Sequence, residues 1–207
     1  MVKLNRKKRR RYLVCKQTAD RLLALALLLF LCPVMAAVAF GIRCTSPGPV
    51  LFRQVRMGRG MEPFLIYKFR TMSCRTPRDC ATAALCAPGR YITRFGALLR
   101  KTSLDELPQL WNVLRGEMSL LGPRPVVLAE SELISRRACA GVYAVRPGVS
   151  GLSQISGRDL LNDEEKTRLD REYVKHLSPW RDGLLLFATV YAVVFHRGVR
   201  EGSPAAR

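Results

Sequence analysis

The sequence predicts an α+β protein, mainly helical, with a proline-broken re-entrant membrane helix, a small β-hairpin and amphipathic surface helices. Three observations carry that prediction. Residues 22–42 form an uncharged apolar run. Two short β-rich runs flank a loop containing Gly58 and Gly60, and from Ile92 onward apolar residues recur at helical spacing. The chain is divided accordingly into a basic N-terminal segment (1–21), a membrane helix (22–42), a soluble body (43–199) and a short tail (200–207).

The apolar run from Leu22 to Ile42 would make a helix about 30 Å long, the thickness of a bilayer's hydrocarbon core. It has three readings. As a signal peptide it would be cleaved near Ala37-Val38-Ala39, which would export an arginine-rich body carrying free thiols. As a spanning helix it would have to translocate a basic flank. Lys3, Arg6, Lys7, Lys8, Arg9, Arg10, Arg11, Lys16 and Arg21 precede it against Asp20 alone, and Arg43, Arg53, Arg56 and Arg59 follow it. As a re-entrant helix, bent at Pro33 where the backbone loses a hydrogen bond, it would leave both flanks in the cytoplasm against anionic lipid. Charge favours the re-entrant form over a kinked span, and both stay open at this point.

In the body, Ser46-Pro47-Gly48-Pro49 is turn chemistry, and Val50 to Val55 with Phe64 to Phe69 read as the hairpin. Ser73 to Gly89 is a long loop without periodicity. Ile92, Phe95 and Leu99 define one helical face; Leu107, Leu110, Trp111 and Leu114 define a second. Val127 to Arg137 and Asp163 to His176 are further helices, and Gly183 to Phe195 is an apolar helix for the body or the membrane surface.

A net charge of +19 and a pI near 10.5 call for an anionic partner: nucleic acid, acidic lipid or phosphorylated small molecules. Nucleic acid is disfavoured, since aromatic stacking platforms do not interleave the basic run and the segment 22–42 has no use there. The 7 cysteines include no Cys-x-x-Cys pair and read as reduced cytoplasmic thiols.

Ser103-Leu104-Asp105-Glu106-Leu107-Pro108 opens the second helical face. Ser103 and Glu106 have capping-box spacing, and acids in a first turn complement the helix dipole, which is the purely structural reading. The functional reading is that Asp105 and Glu106, ringed by basic residues, bind Mg²⁺ and attack a phosphorus centre. Arginines beside rigid or permissive backbone (Gly122-Pro123-Arg124-Pro125, Arg146-Pro147-Gly148, Gly157-Arg158) suit bidentate phosphate recognition. Period-two alternation puts Lys68 and Arg70 on one face of the second hairpin strand.

Taken in order, Ser46-Pro-Gly-Pro-Val-Leu-Phe52, Tyr67-Lys-Phe-Arg-Thr-Met72, Arg100-Lys-Thr-Ser-Leu-Asp-Glu-Leu-Pro-Gln-Leu110, Gly116-Glu-Met-Ser-Leu-Leu-Gly-Pro-Arg-Pro125 and Arg146-Pro-Gly-Val-Ser-Gly-Leu152 resemble the bacterial sugar transferases. These are monotopic polyprenyl-phosphate phosphoglycosyl transferases, and the chain resembles their minimal catalytic form. The resemblance implies transfer of a sugar 1-phosphate from a UDP-sugar to undecaprenyl phosphate, with release of UMP, at the cytoplasmic face of the bacterial inner membrane. It implies a membrane helix broken at Pro33, Asp105 as nucleophile, Glu106 as its partner in holding Mg²⁺, and phosphate or nucleotide contacts from Arg124, Arg146 and Arg158, with Lys68, Arg70 and Arg100 as further candidates. Cys32 and Ser156 stand where relatives often have serine and asparagine. The sugar, the pathway and any homo-oligomer are left open by the chain.

Overall fold

Basic and apolar residues alike favour helix over the first segment, and they join into one element. In the computed structural model, which describes residues 6–74, 76, 91–157 and 161–194, helix α1 spans Arg6–Thr45. Its 40 residues correspond to about 60 Å of rise, and by length and composition its Lys7–Thr45 stretch could cross a membrane. The helix continues through Pro33 rather than ending there. Proline removes one backbone donor, and membrane helices tolerate that loss. The boundary expected at residue 21 therefore falls inside a continuous helix.

One stripe of α1 faces the body. Asp20, Ala24, Leu27, Leu28, Leu31, Met35, Val38 and Ile42 recur every three or four residues, the spacing that lines one helical face. Ala24 and its neighbours pack with Ile66, Leu110, Val113 and Met118. Beyond Pro33, Val38 and Ile42 pack with Phe69 and Leu99. The other side is bare: Leu29, Phe30 and Phe40 are 70%, 78% and 73% exposed.

The hairpin forms as expected. Strands β1 (Leu51–Met57) and β2 (Pro63–Phe69) pair antiparallel, from Leu51 opposite Phe69 to Met57 opposite Pro63. Helix α2 spans Arg94–Lys101, capped by the Thr93 side chain accepting from the Gly96 amide. Helix α3 spans Gln109–Arg115 and stops where Gly116 turns left-handed, with φ 82°. Strand β3 (Ser119–Leu121) follows, and then Val126–Val127 forms β4 on the free edge of β1. This corrects the expected helix from Val127. Helix α4 starts only at Ser131 and ends at Cys139, because the two valines extend the hairpin into a three-stranded sheet.

Strand β5 (Gly148–Ser150) pairs parallel with β3. The short helix α5 (Leu152–Ile155) leads to α6 (Asp163–Lys175), which starts with a complete capping box between Asn162 and Glu165. Helix α7 spans Pro179–Val194, one turn earlier than the apolar run suggested. Trp180 and Phe187 on it are 75% and 74% exposed.

A buried polar network fastens the N-terminal half of α1. Lys16 Nζ lies 2.7 Å from Asp182 Oδ2, the Tyr12 and Tyr173 hydroxyls donate to the same carboxylate, and Ser119 donates to Asp20. One face of residues 12 to 20 is thus fastened to the body, so this stretch is not a detached basic arm.

Candidate active site

The acidic pair sits in a short 3₁₀ turn, Leu104–Glu106, between α2 and α3. Ser103 enters the turn left-handed, with φ 56°, and its side chain makes no cap bond. The expected capping box is absent because Glu106 turns elsewhere. Leu104 and Leu107 anchor the turn from both ends: both pack beside Phe69 and Leu99, and Leu107 also touches the Leu110 cluster. Asp105 and Glu106 are left partly buried between apolar supports.

Glu106 Oε1 accepts from Lys68 Nζ at 2.9 Å and from Arg124 Nη1 at 3.4 Å. The three side chains are 12%, 16% and 32% exposed respectively, so the interaction is only partly screened by solvent. Burial lowers the pKa of Lys68; Glu106 and Asp105 oppose that shift, while Arg124 adds to it. Asp105 is therefore within electrostatic reach of the same lysine. A third cation joins them. Burial, followed by the charge of Arg124, pushes Arg56 down to about 10, opposed by Glu130 and Glu106. Its Nη2 donates to Gln54 Oε1 at 2.6 Å and its Nη1 to the Pro125 carbonyl at 3.2 Å. Lys68, Arg56 and Arg124 thus face Asp105, Glu106 and Glu130, and the three cations gathered beside the acidic turn suit contact with a phosphate.

The glycines of the arginine turns are required by close backbone approach. A Cβ on Gly122 would sit 2.6 Å from the Arg146 carbonyl oxygen; one on Gly148 would collide with the Gly122 amide, and one on Gly151 with the Gly122 carbonyl. The Gly122 amide donates to Ser150 at 2.8 Å, continuing the β3–β5 pairing into the turn that carries Arg124. The two motifs interlock to place one arginine.

The other expected contacts divide. Arg100 Nε donates to Thr71 Oγ1 at 2.8 Å, which ties α2 to the end of β2. Arg70 corrects the sequence reading. Its Nη1 donates to the Pro47 carbonyl and Cys74 Sγ, and its Nη2 to the carbonyl and hydroxyl of Ser46, so it clamps the turn that follows α1. Residue 70 lies just past the end of β2, where alternation with Lys68 no longer holds. Arg146 belongs to a separate basic patch. It lines a small cavity with Lys16, Arg59, Ser119 and Tyr173, and its pKa is lowered by burial and by Arg21 and Arg59. Arg158 lies outside the described residues, as does most of the loop 73–89. Sequence reasoning missed Arg56, which it counted only as a flanking charge. The available signal was Gln54 and Arg56 two residues apart, a polar pair on one face of a β-rich run.

Among the described residues no group of three or more His, Cys, Asp and Glu could hold a metal. Mg²⁺ takes one or two carboxylates and completes its shell with water and substrate phosphate; of the acidic pair, Glu106 Oε1 already accepts from Lys68 and Arg124.

The model of the family described as bacterial sugar transferase matches residues 11–196. The chain is similar to a UDP-glucose:undecaprenyl-phosphate glucose-1-phosphate transferase of Escherichia coli K12, 40% identical over 184 residues, covering 85% of this chain and 39% of that protein. It is similar to a protein of the same name from Caulobacter vibrioides, 41% identical over 184 residues, covering 84% and 68%. A UDP-N-acetylgalactosamine-undecaprenyl-phosphate N-acetylgalactosaminephosphotransferase of Aeromonas hydrophila is 37% identical over 194 residues, covering 91% and 46%. The chain thus spans less than half of the first and third of these relatives and about two thirds of the second.

Proposed function

We propose, because this chain belongs to the bacterial sugar transferase family, that it moves a sugar 1-phosphate from a UDP-sugar to undecaprenyl phosphate and releases UMP. The observation that carries the proposal is the Glu106 carboxylate held by Lys68 and Arg124 beside Asp105. By the family resemblance, Asp105 serves as the nucleophile of the pair, with Glu106 held beside it by two cations. A carboxylate oxygen of Asp105 bonds to the sugar-bearing phosphorus as the bond from that phosphorus to the UMP oxygen breaks. UMP departs with the electron pair. In the second half, an oxygen of undecaprenyl phosphate attacks the same phosphorus, yielding the lipid diphosphate sugar and restoring the carboxylate. One site thus serves a soluble donor and a lipid acceptor in turn.

Arg124, Arg56 and Lys68, already gathered by the fold, offset the charge of a diphosphate approaching a carboxylate. Arg146 and Arg158 are assigned to donor phosphate or uridine contacts by their motifs, and Arg100 to support of the turn. Asp105 and Glu106 would hold Mg²⁺, which when bound neutralises phosphate charge. The relatives' names differ in the sugar, so the donor is given as a UDP-sugar without its hexose.

The reaction takes place at the bacterial inner membrane with the body in the cytoplasm. Residues 12 to 20 and residues 38 to 42 of α1 both dock on the body, which supports a helix with both ends on one side of the bilayer. Lipid covers the bare outer faces of α1 and α7, and the basic residues around them meet anionic headgroups.

Incubation of the purified protein with a UDP-sugar panel and no acceptor tests the mechanism. The expected result is an intact-mass increase of one sugar phosphate with UMP released stoichiometrically. A preparation active with both substrates that never shows the adduct would overturn the two-step reading.

A further inference from the structure

The turn that carries Arg124 has a proline on each side, so residues 123 and 125 contribute no backbone N–H to hold it. It is held through its carbonyls. Pro123 accepts from the Gly148 amide at 2.9 Å, Arg124 from Arg137 Nη1 at 2.6 Å, and Pro125 from Arg56 Nη1 at 3.2 Å. Three consecutive carbonyls are thus captured by β5, α4 and β1.

The middle donor is unlike the others. Arg137 is 3% exposed and forms an ion pair with Asp170 of α6, which is 1% exposed. Ser153 of α5 donates to Asp170 Oδ1 at 2.9 Å. A buried ion pair contributes little net stability compared with an apolar pair of the same volume, and it is strongly destabilising only when one partner is removed. Stability alone therefore does not account for this pair. Its geometry does: one nitrogen of the guanidinium is fixed by Asp170, and the other fixes the backbone of the arginine that reaches Glu106.

We infer that Arg137, oriented by Asp170, is a positioning residue for phosphoglycosyl transfer: it sets the backbone of Arg124 so that the Arg124 guanidinium meets Glu106 and the donor's phosphate. The inference rests on the function proposed above. Asp170 and Ser153 extend the same support to α5.

The test uses the full chain in detergent and compares the parent with R137M, R137M/D170L, R137K and R124A. Release of UMP from a UDP-sugar is measured first on the parent; if there is none, the functional reading falls and this inference with it. R137M alone leaves Asp170 buried and unpaired, and its melting temperature drops. The double variant R137M/D170L removes both charges and recovers most of that drop. Its kcat nonetheless stays down by about 10²-fold, the scale expected when a reacting group is displaced by an ångström, with a much smaller change in KM. R137K, whose single ammonium cannot fork between both acceptors, loses kcat in the same direction and serves if R137M does not fold. Introduced into R124A, the same substitutions add little further loss, because the group they position is already gone. Wild-type kcat in a stable R137M/D170L, or in R137K, overturns the inference. Full additivity with R124A does so as well, because Arg137 would then act on something other than Arg124.

Discussion

Two acidic centres in this chain are each bound by a lysine, and they do different things. Asp182 is met by Lys16 at 2.7 Å and by the hydroxyls of Tyr12 and Tyr173, with Asp20 3.8 Å from the same ammonium. Neutral donors and one cation answer two carboxylates, and burial together with Asp182 raises the pKa of both tyrosines, keeping them protonated as donors. That centre is saturated and joins α1 to α6 and α7. Glu106 is met by Lys68 and Arg124, with Arg56 close enough to be perturbed by both charges. Here three cations gather around Glu106, Asp105 and Glu130 in a partly open setting. The number of cations and their partial exposure, rather than the presence of an ion pair, separate a substrate site from a fastening.

The sharpest way to break that comparison is to remove one carboxylate from each centre. Asp105→Asn should reduce transfer by at least about 10³-fold, with membrane association and melting temperature near those of the parent; radiolabelled transfer and a melting curve check it. Asp182→Leu should do the reverse. Lys16 is left buried without its main partner, which costs about 3–5 kcal/mol of stability, while kcat per folded molecule stays near the parent value. Unfolding midpoints alongside active-site titration decide it, and an inactive but stable D182L would erase the distinction.

A smaller effect follows from pH. Lys68 has its folded pKa below that of a free lysine, so as pH rises its ammonium is lost earlier, and with it the charge that holds Glu106. Transfer should fall on the alkaline side below the ordinary lysine range near 10.4, and Lys68→Arg should shift that limb upward. Stability should move the other way in this window. The unfolded chain still holds the proton that the folded chain has released, so this group's contribution to stability rises with pH. A pH–rate profile set against a pH–stability profile would show the divergence. The smallest effect is local. Ser103 holds a left-handed conformation that glycine adopts more easily, so Ser103→Gly should stabilise by up to about 1 kcal/mol, measured as a modest rise in melting temperature.

Much of this was legible before any coordinates. The hairpin followed from β-rich runs around glycines, the acidic turn from its place between two helical faces, and Arg124 from its flanking prolines. Lys68 was singled out as a phosphate contact on a strand face, and its meeting with Glu106 was not foreseen. Arg70, two positions on, was misplaced because the strand ends at Phe69 and the chain turns back toward Ser46. The capping box was spelled by Ser103 and Glu106 but formed at Asn162 and Glu165. Spacing permits a cap, and competing partners decide whether the side chain takes it. The strand at Val126–Val127 was missed because a two-residue pairing leaves no periodicity to detect.

By itself the sequence determined the local chemistry: which run is apolar enough for a bilayer, where the chain turns, and which carboxylates and arginines sit beside rigid backbone. These depend on neighbours a few residues apart. Only the tertiary structure decided which charges meet. Lys68 and Glu106, Arg56 and Pro125, and Arg137 with both Arg124 and Asp170 are brought together by strand pairing and helix packing across stretches that no short-range pattern spans. Electrostatic interactions in a partly buried site depend on distances of a few ångströms, and those distances exist only after the chain has folded.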